Sequence, residues 1–114
     1  MTTAVNTSPI VGTYSNEALS AKLVIRTAND ANGDITGSFS MGPQTWEVKG
    51  TWNTSSMTPS AGFYFTGTNM KPTVMLTGIG ASPNFQTFEH TTLTISTAQA
   101  GGIVTTVSGQ FKRA

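Results

Sequence analysis

Apolar and polar residues alternate one by one through most of this chain, and no stretch sustains the three-to-four spacing of an amphipathic helix. Leu23 and Ile25 alternate with Lys22, Val24 and Arg26, while Val48, Gly50 and Trp52 share one face of their run. A period of two marks strands that turn one face to a core. The pattern predicts eight of them, over 11–15, 21–27, 35–41, 46–54, 62–68, 73–79, 88–96 and 103–112. Turn chemistry separates the runs. The Asn29-Asp30-Ala31-Asn32-Gly33-Asp34 cluster supplies residues that tolerate a positive φ and reads as a hairpin tip, and Met41-Gly42-Pro43 turns the next pair. Longer breaks follow at 55–61, at Asn69-Met70-Lys71-Pro72 and at 98–102.

Eight short antiparallel strands with short connections can pair first with last. The predicted fold is therefore all-β, an eight-stranded up-and-down β-barrel whose interior holds side chains or one small ligand. Twelve Gly and only 10% charged residues agree with a strand-and-turn chain, and 114 residues at 37% apolar composition suit one core. The barrel is expected over 10–114, after an extended or disordered polar segment 1–9 that reads neither as a signal peptide nor as a membrane anchor. A net charge of +1, with Lys22, Arg26, Lys49, Lys71, Lys112 and Arg113 scattered, gives no basic stripe, so neither nucleic acid nor membrane is an expected partner. Zero cysteines exclude disulfides and thiolate metal sites and suit a secreted or a cytoplasmic location equally.

Catalysis is not expected. The chain has one histidine, His90, whose neighbour Glu89 faces the opposite side of a strand, so the two read as a solvated pair. No Ser-His-Asp order, histidine cluster, Walker loop or dinucleotide fingerprint occurs. Asp30 and Asp34 lie in the hairpin tip without the glutamate and helices of an EF-hand. Neither metal nor cofactor is implied.

Gly12-Thr13-Tyr14-Ser15-Asn16, with Ser20 four residues beyond the Asn, resembles the first strand of the avidin and streptavidin family. Ile35-Thr36-Gly37-Ser38-Phe39 is similar to its third-strand Leu-Thr-Gly-Thr-Tyr; Val48-Lys49-Gly50-Thr51-Trp52, Gly62-Phe63-Tyr64-Phe65 and Leu76-Thr77-Gly78 fall where its next strands belong. The resemblance runs over about residues 10–112, in order and motif rather than in high identity. It implies that Asn16 and Ser20 donate hydrogen bonds to the ureido oxygen of biotin. It also implies losses. Phe39 stands where the family has a donating Tyr, and Gly67, Leu76 and either Thr92 or His90 stand where its tryptophans enclose the ligand. Gly109 or Gln110 replaces an accepting aspartate, only Gln110 retaining an acceptor, and the 42–45 connection is shorter than the family's lid. The resemblance thus implies a small-ligand binding protein for biotin or a biotin-like molecule with weakened or altered affinity. The expected site is Asn16, Ser20, Phe39, Met41, Trp46, Phe65, Gly67, Leu76 and Gln110. In the family, barrels pair through the outer faces of the later strands, so a homodimer or homotetramer is expected, with Thr91, Leu93, Ile95, Val104 and Val107 as the apolar positions on those strands.

Each of these residues also has a plainer reading. Asn16 and Ser20 can satisfy the first hairpin turn, and Phe39, Met41, Phe65 and Leu76 can fill the interior. Trp46 can stack on a ligand or anchor a subunit contact. Two other functions stay open: a lectin-like barrel using Trp46 and Trp52 as stacking platforms, and a structural or protease-inhibitor-like barrel acting on a protein partner.

Overall fold

The computed structural model describes residues 8–29, 31–54, 60–70, 73–84, 86–99 and 101–114. The expectations for residues 1–7, Asp30, 55–59 and 71–72 lie outside the described residues. The chain forms β1 (Gly12–Asn16), β2 (Ala21–Ala28), β3 (Asp34–Met41), β4 (Gln44–Thr54), β5 (Ala61–Met70), β6 (Thr73–Ser82), β7 (His90–Gln99) and β8 (Ile103–Arg113). Each strand pairs antiparallel with the next and β8 returns to β1, closing an all-β, eight-stranded up-and-down barrel.

Burial follows the alternation. Leu23 and Ile25 on β2, Ile35 and Phe39 on β3, Trp46 and Val48 on β4, Phe63 and Phe65 on β5, and Leu93 and Ile95 on β7 all point inward and are buried. The register of β2 against β3 shifts between Ile25 and Thr27, a bulge at Arg26. Gly37 and Gly50 face inward where strands approach most closely; a Cβ at either would lie 1.8 Å from the carbonyl oxygen of Val24 or Tyr64.

The barrel has one sealed end. Ile10, Tyr14 and Phe88 plug it, with the rings of Tyr14 and Trp52 edge-on to Phe88 at 6.4 and 6.1 Å. Arg113 clamps this plug from the last strand. Its guanidinium lies 5.8 Å from the Tyr14 ring centroid and donates to the carbonyls of Pro9 (2.5 Å), Val11 (2.6 Å) and Thr87 (2.8 Å). Tyr14 Oη donates to the Ile10 carbonyl at 2.6 Å. Burial pushes the Tyr14 hydroxyl up to about 12, against a smaller opposing effect of the Arg113 charge.

One expectation changes here. The seventh strand begins at His90 and not at Phe88, because Phe88 takes a positive φ of 50° and turns its ring into the plug. Of the five apolar positions on the later strands, where alternation alone requires some to face inward, Thr91, Leu93 and Ile95 point into the core and are at most 1% exposed. Val107 also faces inward, partly buried against the core, which leaves Val104 on the outside.

Candidate functional site

The opposite end carries the 17–20 and 42–43 connections and the turn at Gly101-Gly102, the place where the sequence puts a ligand mouth. The middle of the barrel is filled. Phe39 lies 6.1 Å from Trp46, 6.1 Å from Phe65 and 6.4 Å from Phe111, and Phe63 stacks on Phe65 at 6.3 Å. These rings form a floor beneath the mouth.

Phe39, Phe65, Leu76 and Trp46 therefore belong to the core. Trp46 is 1% exposed, and its Nε1 donates to the Val74 carbonyl at 3.1 Å. Its Cβ also sits 3.3 Å from where a Cβ on Gly67 would lie, and the Glu47 carbonyl oxygen would be at 2.6 Å. Gly67 thus makes room for the β4 backbone at Glu47 and for Val48, whose Cγ1 would lie at 2.9 Å, and a Cβ there would force the β4 backbone to shift. Met41 is the expected apolar residue that does reach the rim, where it is partly buried.

The polar candidates are arranged differently from the expectation. Asn16 uses both ends of its amide on the protein, Oδ1 accepting from the Leu19 amide at 3.0 Å and Nδ2 donating to the Gln110 carbonyl at 2.9 Å. The plainer reading of Asn16 as a turn residue is the one the geometry displays. A Cβ on Gly109 would lie 2.6 Å from Asn16 Nδ2, so glycine there lets Asn16 cross to β8. Ser20 is exposed at a positive φ of 52°, with its amide bonded to the Glu17 carbonyl and its carbonyl accepting from Gly42. Gln110 lies outside the barrel, because Phe111 and Gly109 occupy the inward parity of β8; its side chain is no acceptor for a guest in the mouth.

Three inward-facing residues missed by the sequence reading define the mouth. Counting back from the buried Phe111, the inner wall of β8 runs through partly buried Val107 to exposed Thr105 and Ile103, the last 57% exposed. At the sealed end inward positions such as Thr91 and Ser82 are 1% exposed. The cause is a mismatch of lengths. β8 has 11 residues and β1 has 5, and the two pair at only Tyr14–Arg113 and Ser15–Lys112. Past that seam the wall facing β8 is missing. The inward-facing side chains at this end are uncharged: Met41, Val107 and Ile103 are apolar, and Thr97 and Thr105 carry hydroxyls. Alternation counted from Phe111 was the available signal, but it needed the seam register.

Elsewhere, Glu89 and His90 are a loose exposed pair at 3.9 Å, and among the described residues no group of three or more His, Asp or Glu is placed to hold a metal ion. In comparisons with known proteins, no family model, curated protein or solved structure matches this chain.

Proposed function

We propose that this chain is a non-catalytic small-ligand binding barrel of avidin type, taking biotin or a biotin-like molecule at its open end with much reduced affinity. The observation that carries this reading is the exposed inner wall of β8 above an aromatic floor: side chains that face the barrel axis, yet meet solvent at one end only. On this reading these side chains line a shallow cup above the aromatic floor, suited to an uncharged, compact, largely apolar group. Its polar contacts would come from the Thr97 and Thr105 hydroxyls and from the second Nδ2 hydrogen of Asn16, whose first is given to the Gln110 carbonyl; Phe39 has no hydroxyl and Gln110 faces out. Each such hydrogen bond contributes only about 0.5–1.5 kcal/mol, and a shallow cup leaves much of the guest in water. Affinity in the micromolar range or weaker follows.

Titration calorimetry with biotin and with biotin methyl ester tests this. The expected result is weak binding of both, reduced by Thr105→Val and abolished by Val107→Trp, which fills the cup. A dissociation constant tighter than about 1 nM would refute the weakened-site reading, and no heat with either compound at millimolar concentration would remove biotin-like ligands altogether.

A further inference from the structure

The seam that opens the mouth also leaves part of β8 without a neighbour. β7 pairs with β8 continuously from His90–Lys112 to Gln99–Ile103, while β1 covers only Arg113 and Lys112 and the Asn16 side chain adds one rung at the Gln110 carbonyl. From Ser108 back to Ile103, no strand pairs on that side among the described residues. An open sheet edge of this kind is a template for another strand. Natural edges are usually blunted by charge, proline or a bulge. This one has none of those devices: Ile103-Val104-Thr105-Thr106-Val107-Ser108 contains five β-branched residues in succession, no charge and no proline, and its register with β7 is unbroken. Val104, 70% exposed, and Ile103 are among the most exposed large apolar side chains described.

We propose that the 103–108 edge of β8 pairs antiparallel with the same edge of a second copy, joining two barrels edge to edge about a two-fold axis at Thr106, so that Thr106 opposes Thr106 and Val104 opposes Ser108. A second copy fits because an antiparallel strand pair is two-fold symmetric, so one uncharged, β-branched segment supplies both halves of an isologous contact. The facing wall that β1 lacks is then provided by the other chain. Outward side chains stay outward across the new pair, so Thr106 of each copy lies beside its counterpart on one face of a continuous sheet. This inference does not depend on which ligand the mouth takes.

The absence of native cysteine makes the test clean. Directly opposed residues of an antiparallel pair have Cα atoms about 4.5–5.5 Å apart, within disulfide reach. Thr106→Cys is expected to form a covalent dimer on mild oxidation of the full chain, whereas Thr77→Cys, on the outer face of β6, stays monomeric on denaturing gels. Light scattering at about 50 µM, far above the dissociation constant of a typical stable homodimer, should give twice 11.9 kDa. Val104→Lys with Thr106→Lys should give the monomer mass with an unchanged circular dichroism spectrum. A wild-type monomer at that concentration, a dimer that survives the double lysine variant, or cross-linking through Cys at 77 and not at 106 would each overturn the edge pairing, the last in favour of an outer-face dimer through Tyr64, Met75 and Ile79.

Discussion

Replacing Arg113 by Met removes the guanidinium that closes the barrel while retaining most of its apolar stem. In the native chain this one group ties three separate segments together: the turn at residues 8–10, the connection before β7, and the end of β8. Hydrogen bonds to a charged donor contribute about 1.5–3 kcal/mol each. Arg113 is partly exposed, so the lower figure applies, and three bonds give about 4.5 kcal/mol. The contact with the Tyr14 ring adds roughly 0.5 kcal/mol. A total near 5 kcal/mol is a large part of the roughly 5–15 kcal/mol typical of a domain. Urea unfolding followed by tryptophan fluorescence should show the midpoint falling with the slope unchanged, and melting should drop by roughly 20 °C. Arg113→Lys should recover less than half, because an ammonium cannot reach three diverging carbonyls from one planar fork. A loss below about 1 kcal/mol for Arg113→Met would show that the plug is held by apolar packing alone and that the clamp is incidental.

Other substitutions probe separate parts of the argument. Tyr14, pushed up to about 12 from the ordinary 10.0, binds its proton more tightly folded than unfolded. Stability is therefore complete below pH 10 and falls as pH rises from 10 to 12, by about 3 kcal/mol at roughly 1.4 kcal/mol per unit; Tyr14→Phe should abolish this alkaline loss in chemical denaturation series. Gly50→Ala places a Cβ 1.8 Å from the Tyr64 carbonyl oxygen, and only backbone movement relieves it, so a loss of at least about 3 kcal/mol or failure to fold is expected by thermal melting. Asn16→Ala should cost about 1–2 kcal/mol in ligand-free protein, because its amide holds both the first turn and the seam; unchanged stability would return Asn16 to the role of ligand donor.

The fold was readable because it rests on a local rule: alternation fixes which residues face in, and Gly-, Asn- and Pro-containing turns fix where strands end. Phe88 escaped that rule. It stands out of phase with the inward-facing Thr91, Leu93 and Ile95, and the plug buries its ring through a positive-φ turn, a tertiary demand that alternation does not express. The site was less readable for a related reason. Inward parity tells that Phe39, Phe65 and Trp46 face the axis, but not at what height, and height decides between floor and mouth. Gln110 was assigned by analogy against the parity set by Phe111, and the parity prevailed. Thr105 and Ile103 become mouth residues only because β1 stops at Asn16, and strand length on one side of a seam is invisible from the other.

That single mismatch links the two proposals. The cup is open because β8 rises past β1, and the edge is bare for the same reason, so a second copy pairing along residues 103–108 would stand beside the wall on which a guest rests. Two events that share a wall cannot be independent if pairing orders Ile103, Thr105 and Val107. Linkage then requires reciprocity: whatever factor separates ligand affinity in the dimer from that in the Val104→Lys, Thr106→Lys monomer must equal the factor by which ligand tightens dimerisation. A factor within the usual range of about 5–150 is expected, with the dimer binding more tightly. Calorimetry on both forms measures one side of this cycle and sedimentation with and without biotin measures the other. Unequal factors would mean that the double substitution alters the cup directly, and a factor of one would mean that β8 is already rigid without its pair.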